Sequence, residues 1–142
     1  MLPLRYAHRW RLASGFLLLL VLAAALMPAM WDWVDARSLL SWLDNLDKWT
    51  HMLTFAFLTL WFTGQYRAAA YWRIAVGLLG FGALIEVIQR FVGYRSAEWM
   101  DLGADAIGIA AGLTIALLGV GGWCQVVEAR LEGRQSRGGD IG

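Results

Sequence analysis

Three short segments of the 142-residue chain hold side chains that can do chemistry. The first is Asp47-Lys48-Trp49-Thr50-His51, in which Asp47 and His51 share one face of a helix at i, i+4 spacing. The second brings Glu86, Gln89 and Arg90 together, with Glu86 and Gln89 at i, i+3. The third runs from Arg95 through Ser96, Glu98 and Asp101 to Asp105, which falls one turn later on the face of Asp101. His51 with Glu86 can form an acid/base pair, and Asp101 and Asp105 can orient a substrate. One histidine with three carboxylates suits Mg or Mn better than zinc, although the spacing matches no recognised ligand motif. Lys48, Arg90 and Arg95 are the cations that would capture a phosphate. The candidate catalytic residues are therefore His51, Glu86, Asp101 and Asp105, and the candidate binding residues Asp47, Lys48, Gln89, Arg90 and Arg95. No other cofactor is expected. No nucleophile stands out: Thr50 and Ser96 suit helix capping or back-bonding, and the single Cys124 reads as packing.

These residues are set in a sequence that is 59% hydrophobic and 16% charged, with a mean hydropathy of +0.53. A soluble domain of this size could not cover so much apolar surface with so little charge. A formal net charge of +1 and the lack of a basic run argue against a nucleic-acid partner. A lone cysteine excludes a disulfide framework and cysteine-based zinc motifs. Four stretches approach the roughly 20 apolar residues that a helix needs to span a bilayer. They run from about Leu12 to Met30, Trp49 to Thr63, Trp72 to Val92, and Leu102 to Val120. Arg5, Arg9 and Arg11 ahead of the first also fit a signal peptide, but Ala25-Leu26-Met27-Pro28 is a poor cleavage site. The pattern predicts an all-α integral membrane protein, a bundle of four transmembrane helices forming one domain over residues 1–132. Residues 133–142, rich in Gly and Arg, read as a disordered tail.

Two signals orient the bundle. With four spans both termini share a side, and Arg5, Arg9, Arg11, Arg67, Arg73, Arg130, Arg134 and Arg137 then lie together there. Lys and Arg are retained in the cytoplasm during insertion, so both termini are cytoplasmic and the protein sits in a bacterial inner membrane. Trp10, Trp61, Trp72 and Trp123 fall at the inner ends of the spans, and Trp31, Trp33, Trp49 and Trp99 at the outer ends, as amphipathic rings prefer. Between the first two spans, Leu39, Trp42, Leu43 and Leu46 follow helical spacing among polar residues, which predicts a short amphipathic helix on the outer surface. His51, Glu86 and Asp105 then lie about one turn inside the outer boundary. A charge in that setting costs about 2.5–3.5 kcal/mol on insertion scales, so the three should face inward and meet. Gly108 and Gly112 continue the Asp101–Asp105 face and permit a close helix neighbour, as do Gly77, Gly80 and Gly82 on the third span.

Asp-Lys-x-x-His at 47–51, Glu-x-x-Gln at 86–89, and then Arg95, Asp101, Asp105 and Gly108 together resemble the VanZ-like family. The resemblance covers Asp47 to about Leu118. One position departs, since Asp105 stands where the family pattern often carries Asn. The family's founding member is associated with teicoplanin resistance. The resemblance implies a small membrane protein acting on the outer leaflet or the cell envelope, with membrane lipids or a lipid-linked envelope precursor as partner. It does not supply a reaction. Three readings stay open: a polar cluster that only fastens helices, a binding site for a lipid headgroup or envelope precursor, and an intramembrane acid/base or metal site.

Overall fold

The computed structural model describes residues 1–26, 46–92 and 99–138, and within them the chain is built of helices without strands. They are α1 (Ala7–Leu26), α2 (Leu46–Thr63), α3 (Tyr71–Val92), α4 (Trp99–Ile115) and α5 (Trp123–Gly138). A 3-10 turn at Ala68–Ala70 leads into α3, and a π-helical turn at Ala116–Val120 closes α4. Among the described residues three helices are long and apolar enough to cross a membrane: α1, α3 with its leading turn, and α4 with its closing turn. Helix α2 has 18 residues, but Asp47, Lys48 and His51 in its first turns lower its hydropathy. The expected four-span count is therefore only partly met. The interfacial helix expected around Leu39 to Leu46 lies outside the described residues, except that α2 already begins at Leu46.

Apolar side chains point outward along much of the bundle. Phe16 of α1 is 69% exposed, Phe91 of α3 87% and Leu118 beyond α4 82%. In water such surfaces would associate, whereas lipid chains are as apolar as leucine and impose no penalty. The interior is a compact core of Phe55, Leu58, Leu78, Ile85 and Ile109, against which Leu17, Leu18, Val21 and Leu22 of α1 pack.

The tightest contact runs between α2 and α4. A side chain at Gly108 would strike the Met52 carbonyl, and one at Gly112 would meet the Ala56 carbonyl and Thr59. The small-residue stripe expected on α4 therefore has α2 as its neighbour. On α3 only Gly82 is so used, since a Cβ at Gly77 or Gly80 would meet open space.

The opposite end, where the chain starts, is held by tryptophans and one glutamate. Trp10, Trp61 and Trp123 pack edge to face with ring centroids 5.6–5.8 Å apart. Their indole N–H groups are all engaged inside the protein: Trp10 donates to Glu128 at 2.9 Å, Trp61 to Ser14 Oγ at 2.9 Å and Trp123 to the Leu60 carbonyl at 3.0 Å. Buried Ser14 also accepts from Gln65 Nε2 at 3.0 Å. These rings do more than line a membrane boundary, because they fasten α1, α2 and α5 to one another.

Helix α5 follows the positive-φ glycines Gly119 and Gly122, where the chain turns back on itself and the Gly122 N–H reaches the Thr63 carbonyl at 3.1 Å. Residues 133–138, expected as part of a tail, continue this helix, and 139–142 lie outside the described residues. Glu128 of α5 is buried, and both its oxygens accept hydrogen bonds, from the Arg5 N–H at 2.9 Å and the Tyr6 N–H at 3.1 Å besides Trp10. N–H groups at a helix entry have no acceptor within the helix, and a carboxylate there is also favoured by the macrodipole. Burial alone would raise the Glu128 pKa, but the three hydrogen bonds and the nearby Arg5 charge outweigh it and hold the carboxyl below its ordinary value.

A lowered folded-state pKa means that the stabilisation is present at neutral pH and is lost as pH falls through that depressed value. Acidification below the ordinary carboxylate value of 4.5 should release the N-terminal segment from α5, seen as a change in tryptophan fluorescence. In Glu128→Gln the acid transition should disappear. An unchanged transition in that variant would place its origin elsewhere.

Candidate functional site

At the other end of the bundle the starts of α2 and α4 meet the last turns of α3. His51 lies in the second turn of α2, Asp101 in the first turn of α4 and Asp105 one turn deeper. An acidic residue in the first turn suits the positive end of a helix, which favours Asp101. Asp101 and Asp105 are both buried, Asp105 with no exposed surface at all. Its Oδ1 lies 3.0 Å from His51 Nδ1, and the imidazole is 11% exposed.

The Asp105–His51 contact exists because the glycine seam brings α2 against α4 one turn below it. A second glycine makes room on the α3 side. Asp105 Oδ2 rests on Gly82, where any side chain would collide with it. That oxygen is buried and accepts no hydrogen bond from the described residues. Glu86 follows Gly82 by one helical turn and is half-buried. His51, Glu86 and Asp101 each offer an atom able to ligate a metal, and the three atoms lie within 4.8 Å of one another. Three helices thus bring together the four residues singled out as candidate catalytic groups. His51, Glu86 and Asp101 also have polar or charged interactions of their own.

The candidate binding residues divide. Gln89 is buried and donates Nε2–H to the Ala25 carbonyl at 2.9 Å, so its amide ties α3 to the end of α1. Arg90 is exposed in the last turn of α3. Lys48 is half-buried at the start of α2 and engaged. The side chain of Asp47, and Arg95 altogether, lie outside the described residues. Sequence reasoning did not single out Ala25, whose carbonyl holds Gln89, and it named Gly82 only as one of three glycines suited to close packing, without its contact to Asp105.

With Asp105 as a carboxylate, His51 Nδ1 carries the proton and donates it, which leaves Nε2 as the basic nitrogen. This is the arrangement that orients a histidine for proton transfer or for metal ligation. In a double-mutant cycle in detergent, His51→Ala and Asp105→Ala should be non-additive in stability by at least about 0.5 kcal/mol. Asp105→Asn should be the mildest change at this position, because an amide oxygen still accepts from Nδ1. Additivity of the two alanine variants would mean that the pair is not formed.

Neither a curated protein nor a solved structure matches the chain. The sequence profile of the VanZ/LLP1 family matches residues 11–120, a range that contains most of the first span, the glycine seam and every site residue described above. With its apolar helices and this match, the chain is a membrane protein that belongs to the VanZ/LLP1 family.

Proposed function

We propose that the chain is a four-span inner-membrane protein that binds the polar headgroup of an envelope lipid or lipid-linked cell-wall precursor at the outer leaflet. The observation that carries this reading is the convergence of His51, Glu86, Asp101 and Asp105 from three helices at one end of an otherwise apolar bundle. Ionisable groups are expensive at such depth and are retained mostly where they bind or move something.

Counting α2 as the fourth span is supported by its two ends. His51 meets Asp105 at one end of the bundle, and the Thr63 carbonyl meets the Gly122 N–H at the other, so α2 makes contacts at both ends of the bundle. Arg5, Arg9, Arg11, Arg67 and Arg73 all belong to the tryptophan end, which makes that end cytoplasmic under the positive-inside rule. The site then faces outward. Lys48 and Arg90, with Arg95 and Asp47, would engage the charged part of a headgroup while the buried groups orient it. An acid/base role in modifying the bound molecule is the second reading, favoured by the Asp105–His51 hydrogen bond.

A periplasm-active reporter fused after Asn45 or Val92 should be active, and one fused after Gln65 or Gly142 inactive; the opposite pattern would overturn the orientation. For the site, Glu86→Gln preserves shape and removes charge, and Lys48→Gln removes the cation at the start of α2 while keeping a polar side chain there. Both variants should insert at parental levels yet lose the envelope phenotype of the intact protein, with glycopeptide susceptibility as the first assay. If both behave like the parent, the cluster is only a fastening between helices.

A further inference from the structure

We propose that His51, Glu86 and Asp101 together bind one divalent cation of the manganese or magnesium class, with Asp105 as the positioning residue that holds the His51 ring. The inference rests on the headgroup reading above and deepens it, because the ion would be what grips the phosphate.

The first observation is geometric. One nitrogen and two carboxylate donors, from α2, α3 and α4, lie within 4.8 Å of one another, close enough to share an ion. They are not surface acids: Asp101 is buried and His51 is 11% exposed. The second observation concerns a different carboxylate. Asp105 is wholly buried, its Oδ1 is bonded to His51, and among the described residues its Oδ2 accepts no hydrogen bond. The chain treats a buried carboxylate at the opposite end of the bundle differently, giving Glu128 three donors shared over both oxygens. A buried anion short of donors calls for positive charge beside it. A cation on the far side of the His51 ring supplies that charge through the imidazole, and Asp105 in turn fixes the tautomer that presents Nε2 to the ion.

Hard carboxylate donors with a single imidazole suit manganese or magnesium better than a soft-ligand metal. Three protein ligands would leave about three positions of an octahedral set for water or phosphate oxygens. An anionic headgroup arriving from the membrane surface would complete that set, which gives a reason for carboxylates to stand in a site that receives an anion. The ligand class is therefore a phosphate-bearing lipid.

The test uses the full chain, purified, stripped with chelator and placed in phosphatidylcholine nanodiscs, which offer few competing anionic sites. Manganese is titrated and read by electron paramagnetic resonance. The expected result is one bound manganese per chain, with a nitrogen hyperfine coupling that vanishes in His51→Ala. Affinity should fall about tenfold or more in Glu86→Gln and in Asp101→Asn, while Asp105→Asn keeps the nitrogen coupling and Asp105→Ala weakens binding about 10- to 100-fold. If one of the ligand variants does not fold, the other and the nitrogen coupling still decide. Absence of bound manganese at millimolar concentration, absence of nitrogen coupling, or binding unchanged in the ligand variants would each overturn the proposal. Loss of the envelope phenotype in Glu86→Gln without any manganese binding would remove the ion and keep the headgroup site. Manganese binding with a silent phenotype would do the reverse.

Discussion

Gly108 and Gly112 let the backbone carbonyls of Met52 and Ala56 lie directly on α4, and the position of His51 follows from that contact. Helices bearing ordinary side chains pack with axes about 8–10 Å apart. Without the glycines, α2 would stand off by the width of a side chain and His51 Nδ1 would lose its 3.0 Å contact with Asp105. Gly82 does the same on the α3 side, giving Asp105 a place to lie and leaving Glu86 one turn away to face the cluster. In a membrane no gain comes from moving apolar surface out of water, so close packing of this kind is the main source of helix association. The stripe that holds the bundle together is thus also what brings the polar groups into register.

The two ends of the bundle solve the problem of buried polarity in opposite ways. At the tryptophan end the indole N–H groups of Trp10, Trp61 and Trp123 each have an acceptor, and Glu128 has three donors, so this network joins the start of α1 to α5. At the carboxylate end, Asp105 keeps one buried oxygen without a donor among the described residues, while three further ionisable groups crowd beside it. A closed network gives rigidity. An incompletely satisfied one is a place where a ligand can lower the free energy, which is the basis of the headgroup site proposed above.

Much of this was legible in the sequence, for a physical reason. An ionisable residue stands out in an apolar run, and depth along a span follows from counting 1.5 Å per residue. The convergence of His51, Glu86, Asp101 and Asp105 could be read that way, and so could the apolar helices. Which pairs actually touch could not, because that depends on rotations and separations set by Gly82, Gly108 and Gly112. Gln89 looked like a site residue from its spacing with Glu86, yet its amide goes to the Ala25 carbonyl, and a backbone acceptor leaves no mark in a sequence. Helix α5 was missed for another reason: residues 133–142 read as a Gly- and Arg-rich tail, and Glu128 and Trp123 gain their partners only from α1 and α2. Trp10, Trp61 and Trp123 were expected as rings at a membrane boundary, and their hydrogen bonds run into the bundle.

The central claim is that the carboxylate end is a site for a ligand and not a fastening. A high-resolution structure of the chain in a lipid bilayer addresses it most directly. The account predicts density for a cation or a headgroup phosphate between α2, α3 and α4, in contact with His51, Glu86 or Asp101. A cluster with no such density, in which Asp105 Oδ2 and every neighbouring carboxylate oxygen is paired within the protein, would contradict it.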